Sequence, residues 1–127
     1  MNKEFYLSTG IIALIYASIA GLQYYSLTGE RLISAEEAKK MIKNNEIKHI
    51  IDIRTKFEYD LGNYPGSIHL PVNEITEETT KKFNKNDNML VYCNTGQRAR
   101  HASEVLIELG FKNVFYISGT YTTIIEK

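Results

Sequence analysis

The chain has one cysteine, no tryptophan and two prolines in 127 residues, and its 15 basic side chains are balanced by 15 acidic ones. Each shortage excludes something. A single thiol can neither close an internal disulfide nor build a Cys-rich metal centre. The three histidines, His49, His69 and His101, are scattered without the spacing of metal ligands. A net charge of zero lacks the basic excess of a nucleic-acid binder. What remains is a globular composition, 43% hydrophobic and 24% charged, of a length that suits one domain with a modest core.

Charge is also missing locally. No charged residue occurs from Phe5 to Gly29, and the centre of that stretch reads "GIIALIYASIAGL". Three readings fit. A transmembrane anchor needs about 20 mostly apolar residues, which 5–25 supplies, with Tyr6 at one end and Tyr24 and Tyr25 at the other as an aromatic belt. A cleaved signal peptide would use Ile11 to Ala17 as its apolar stretch, with the small residues Ser18 and Ala20 before the cut. A buried core helix would be apolar on nearly every face. The anchor is the leading expectation, which makes residues 1–29 a hydrophobic N-terminal helix and 30–127 a separate folded domain. It places the protein at a membrane as a single-pass chain, or outside the cytoplasm if the segment is cleaved.

From Glu30 on the chain is charged and periodic. "LISAEEAKKMI" reads as a short strand running into a helix, with Ser34 and Glu37 at capping-box spacing. "IKHIIDIR" reads as a buried strand over 47–53. Thr55 and Glu58 cap a second short helix that Gly62 ends. "NYPGSIHLP" is a turn and a short strand. Residues 74–83 predict a helix, "NMLVY" a strand, "ARHASEVLIELG" a helix stopped by Gly110, and "NVFYI" the last clear strand, with a short helix closing the chain at 121–126. The strands are continuous apolar runs separated by helices. That pattern predicts an α/β fold, a parallel sheet of about five strands with helices on both faces.

The lone cysteine sits in "MLVYCNTGQRAR", where an apolar strand ends and a helix is about to begin. Ligands of open parallel sheets bind at the carboxyl ends of strands. Gly96 permits the tight turn, the backbone N–H groups of such a turn point inward, and the helix start adds positive potential. Arg98 and Arg100 bring two formal charges, with no acid in the sequence until Glu104. Surroundings of this kind suit a nucleophilic sulfur with an anion cradled beside it. A small buried apolar cysteine is the plain alternative.

The pattern around Cys93 resembles the rhodanese family of sulfurtransferases over about residues 31–120. "CNTGQRA" is similar to that family's active-site loop, C-x-x-G-x-R-[SA]. "DIRTKFEYDLGNYPGSIHLP" is similar to its second motif, and "LGFKNVFYISG" to its tail. The resemblance implies a rhodanese-like sheet, Cys93 as the sulfur-accepting nucleophile, and Asn94, Thr95, Gly96, Gln97 and Arg98 as a substrate-binding cradle. Asp52, Arg54 and Glu58 fall on positions that brace the fold beside the site. It further implies a small anionic sulfur donor such as thiosulfate, a cyanide or thiol acceptor, and neither metal nor organic cofactor. The alternative is a membrane-tethered persulfide carrier or docking module serving a protein partner. Two departures stand out. Asn63 replaces a usual histidine, and "GTYTTII" replaces the tail's second glycine and tryptophan, with Thr120 at the glycine position.

Overall fold

The computed structural model describes residues 3–126, with side chains from Ile11 onward. A long helix, α1 (Lys3–Leu27), leads into α2 (Ala35–Lys43), β1 (His49–Asp52), α3 (Lys56–Leu61) and β2 (Ile68–His69). A 3-10 turn (Val72–Glu74), α4 (Glu77–Thr80), β3 (Asn88–Tyr92), α5 (Gln97–Glu108), β4 (Asn113–Tyr116) and a closing 3-10 turn (Tyr121–Thr123) follow. The sheet is parallel throughout, in the order β2-β1-β3-β4.

Of the two capping boxes the spacing suggests, the second forms in full and the first only as the Ser34 half. The Ser34 hydroxyl accepts the Glu37 N–H at the start of α2, and Thr55 with Glu58 forms a reciprocal capping box on α3. Gly110, at φ 99°, turns the chain away after α5. Asn63, the departure in the second motif, donates from its side-chain amide to the Tyr59 carbonyl and so closes the end of α3.

Alternate residues of β3 point to opposite faces of the sheet. Met89 and Val91, with Cys93 beyond them, join a core with Ala99, Ala102 and Leu106 of α5. Leu90 and Tyr92 join a second core with Ala38 of α2, Ile117 and Ile124. A sheet covered on both faces is what the uninterrupted apolar strands require.

Three expectations are corrected. The sheet has four strands, not five: the segment expected as the first strand is a single bridge, Leu32 to Tyr116, because Ser34 starts a helix before a ladder can grow. The helix expected over 74–83 shrinks to Glu77–Thr80, where Thr76 opens the turn and the Thr80 hydroxyl bonds back to the Thr76 carbonyl. The transmembrane helix is not supported. Among the described residues no helix is long and apolar enough to cross a membrane. Gln23, Ser26 and the tyrosines dilute the C-terminal half of α1, and that end is tied into the domain.

Four polar contacts make the tie. Tyr116 donates from its hydroxyl to the Ser26 carbonyl at 2.8 Å. Arg100 donates to the Tyr25 carbonyl, and its guanidinium lies 4.0 Å over the Tyr25 ring. The Tyr25 hydroxyl donates to Glu104, and Ser26 is buried.

Candidate active site

The chain runs from β1 outward to β2, then returns across to β3 and on to β4. The strand order therefore reverses between β1 and β3, which is where an open parallel sheet forms its ligand crevice. Asp52, the last residue of β1, pairs in register with Tyr92, the last of β3. Cys93 follows directly and is buried.

From Cys93 the chain must fold back on itself to begin α5. Gly96 makes the turn at φ 96° and serves as the N-cap of α5. A Cβ there would stand 3.0 Å from the Ser118 Cα and 3.1 Å from the Ser26 Cβ, so the position also needs the missing side chain for space. The loop closes on the sulfur. The Gly96 N–H points to Cys93 Sγ at 3.1 Å and the Ala99 N–H at 3.4 Å. The first helical bond of α5 is Arg100 N–H to Gly96 C=O. The amides of Gln97 and Arg98 precede it and have no helical partner. They are the donors this loop has left for a further sulfur or an anion.

The arginines do not add free charge to this loop. Arg98 donates two bonds to Glu58, at 2.8 and 2.9 Å. That pairing holds the Glu58 carboxyl far below the usual carboxylate range, with the Arg98 bond as its largest cause, and raises Arg98 further. Arg100 is paired with Glu104 at 2.9 Å. The sequence suggests two free cations here. Both have acids: Glu58, far along the chain, is brought across the crevice to Arg98, and Glu104 lies one helical turn from Arg100. Positive potential around Cys93 therefore comes from backbone amides and the start of α5.

Behind the loop lies a buried brace. Asp52 is fully buried and accepts from Arg54 at 2.7 Å and from the Tyr92 hydroxyl at 2.6 Å. Burial and that bond to Asp52 push the Tyr92 hydroxyl up to about 12. The Arg54 guanidinium faces both the Tyr92 and the Tyr121 ring and also donates to the Gly62 carbonyl and to Asn94. Asn94 in turn donates to Glu58. One network thus runs from the end of β1 through α3 to the Cys93 loop. Asp52, Arg54 and Glu58 occupy the bracing places their motif positions imply.

Of the cradle residues read from the sequence, Cys93 and Gly96 form its floor and turn, with Asn94 and Arg98 bonded outward into the brace. The Thr95 hydroxyl donates to the Gln97 side chain, and both residues sit at the rim. Two contributors were not visible in the sequence. Ser118, just past β4, backs Gly96; its place at a strand's carboxyl end was the available signal. Ser26 backs the same glycine from α1, and nothing in a charge-free helix marks it. Among the described residues no group of three or more His, Cys, Asp or Glu could hold a metal ion.

Comparison with known proteins gives the same frame. The family described as Rhodanese-like domain matches residues 34–127. The chain is 32% identical over 85 residues to YrkF of Bacillus subtilis, named as a sulfur carrier protein, covering 67% of this chain and 45% of YrkF. It is 37% identical over 68 residues to the thiosulfate sulfurtransferase PspE of Escherichia coli, covering 53% of this chain and 65% of PspE. This chain thus spans under half the length of YrkF and under two thirds of PspE. A rhodanese-related protein of Thermoplasma volcanium superposes with a TM-score of 0.63 at 29% identity, over 74% of this chain and 89% of that one. A four-stranded parallel sheet, a cysteine loop at its switch point and a family match from Ser34 to the C-terminus agree: the chain belongs to the rhodanese-like domain family.

Proposed function

We propose that the protein transfers sulfane sulfur through a persulfide on Cys93. The observation that carries this reading is the loop itself. Two N–H groups already point at Sγ, and two more amides without helical partners stand beside them.

With thiosulfate as donor, the Cys93 thiolate attacks the outer sulfur. A Cys–S bond forms, the S–S bond to the sulfonate breaks, and its electron pair leaves with sulfite. Cys93 then carries a persulfide anion, which the amides of the loop suit. An acceptor, cyanide or a thiol, takes the outer sulfur and returns the electron pair to Cys93 Sγ. Dividing one transfer into two covalent steps lowers each barrier. The spacing of Cys93 and Arg98, with four residues between them, favours sulfur over phosphate, because a tetrahedral phosphoryl group needs a wider ring of amides. The similarity to PspE supports thiosulfate as donor. The similarity to YrkF supports the second reading, a carrier that hands the persulfide to a protein partner.

The test is an intact mass after exposure to thiosulfate. Full-length protein gains one sulfur atom, reductant removes it, and Cys93→Ser gains none. Turnover with cyanide then separates enzyme from carrier. A Cys93→Ser protein that still consumes thiosulfate would overturn the assignment.

We further propose that the apolar face of α1 over residues 11–15 attaches the protein to a membrane surface. Ile11, Leu14 and Ile15 are all more than half exposed on one face of the helix, an apolar patch that calls for a cover. Full-length protein is expected to sediment with phospholipid vesicles and Leu14→Asp/Ile15→Asp to remain in the supernatant. Wild-type protein that stays in the supernatant overturns this.

A further inference from the structure

A cleft of about 500 Å³ lies between α1 and the Cys93 loop. Ile19, Leu22 and Leu27 of α1, with the uncharged Gln23 and Ser26 between them, form one side, and Thr95, Gln97 and Ser118 form the other. Thr95 and Gln97 also belong to the Cys93 loop, so the cleft borders the cradle. Its volume is in the range of small-molecule sites, about 300–1,000 Å³.

The wall is held in place. The last turns of α1 are bonded to Tyr116, Arg100 and Glu104 and packed on Gly96 through Ser26. The cleft therefore keeps its shape while the loop works. Its lining is uncharged throughout, with no ionisable side chain. Leu22 and Ile19 present about half of their surface to solvent there, which an apolar group would cover. A charged acceptor would lose water in this cleft without gaining a partner. The hydroxyls and amide of Thr95, Gln97 and Ser118 serve a neutral polar edge near the sulfur.

We infer that this cleft binds the sulfur acceptor, and that the acceptor is a thiol with an uncharged, largely apolar body. The inference rests on the sulfur-transfer reading and names the substrate class of its second step. In that step the acceptor's sulfur bonds to the outer sulfur of the Cys93 persulfide. The Cys93 S–S bond breaks, its electron pair returns to Cys93 Sγ, and the thiol's proton ends on that sulfur. No oxidant or reductant enters.

The experiment loads full-length protein with one sulfur and follows its transfer in single turnovers. The acceptors are phenylmethanethiol, mercaptosuccinate and cyanide, with the two thiols compared at equal thiolate concentration. Phenylmethanethiol is expected to outpace mercaptosuccinate at least tenfold. Leu22→Asp is expected to lower the phenylmethanethiol-to-cyanide rate ratio at least tenfold, and Tyr16→Asp, on α1 but off the cleft, to leave that ratio unchanged. A ratio unmoved by Leu22→Asp, or moved equally by Tyr16→Asp, overturns the inference while leaving sulfur transfer intact. Failure of Cys93 to take up sulfur from any donor overturns both, and is read in the loading step before any acceptor is added.

Discussion

Glu58 and Arg98, forty residues apart in sequence, meet through two hydrogen bonds of 2.8 and 2.9 Å at the edge of the Cys93 loop. The same carboxylate accepts from the Thr55 N–H and hydroxyl and from the Asn94 side chain. One residue therefore caps α3 and holds two residues of the loop. Arg98 spends its fork on this brace, which leaves the work of binding an anion to backbone amides.

Arg98→Ala is therefore expected to slow Cys93 loading from thiosulfate and from a neutral persulfide donor alike, by about tenfold, or about 1.4 kcal/mol. Single-turnover loading with both donors measures it. A loss confined to thiosulfate would return Arg98 to direct donor binding.

The depressed Glu58 carboxyl sets a pH dependence. A group whose pKa is lowered on folding adds stability that is fully present above its unfolded value, 4.5, and is lost as pH falls below that toward the folded value. Glu58→Gln is expected to be less stable than wild type at neutral pH by about 1–2 kcal/mol, from loss of charge-assisted bonds. Urea unfolding should show that gap narrowing below about pH 4.5. A gap constant down to the acid transition would deny the pairing its role.

Gly96→Ala should disable the loop. A non-glycine residue in the left-handed region costs about 1–2 kcal/mol, and here the added methyl also meets the Ser118 backbone and Ser26. Thermal unfolding is expected to shift down, and persulfide formation to fall by a larger factor than stability does. Wild-type loading in a folded Gly96→Ala protein would show that the turn tolerates displacement.

Asp52→Ala leaves the Arg54 guanidinium buried without its partner, since Arg54 is only 5% exposed. The expected loss is about 3–5 kcal/mol, read by urea denaturation. Tyr92→Phe removes one bond to the same carboxylate and one from the Tyr64 N–H, and should lose about 2 kcal/mol. Equal losses for the two variants would mean that the ion pair is not the element that matters.

Shortening the chain to begin at Glu30 removes the Ser26 carbonyl from the buried Tyr116 hydroxyl and the Ser26 side chain from Gly96. The expected loss is about 1–3 kcal/mol relative to a chain beginning at Gly21, which keeps both contacts. Equal unfolding midpoints for the two would make the domain independent of α1.

Local rules determined much of this protein. The caps at Ser34 and Thr55, the stop at Gly110 and the apolar runs of β1 and β3 are set within a few residues, so the α/β order, the parallel sheet and the strand-end position of Cys93 were legible from the sequence. The resemblance of three motifs narrowed the family. Only the tertiary structure decided what depends on residues far apart meeting. It gave Arg98 an acidic partner, Glu58, forty residues away, which a search for neighbouring acids along the chain could not find. It reduced the first strand to one bridge at Leu32, because ladder length depends on how soon the next helix starts against the sheet. It also brought the end of α1 against Gly96. An apolar helix carries the same hydropathy whether lipid or a domain covers it, and the difference rests on a few polar contacts, Tyr25 to Glu104 and Tyr116 to Ser26 among them, that only the folded chain can make.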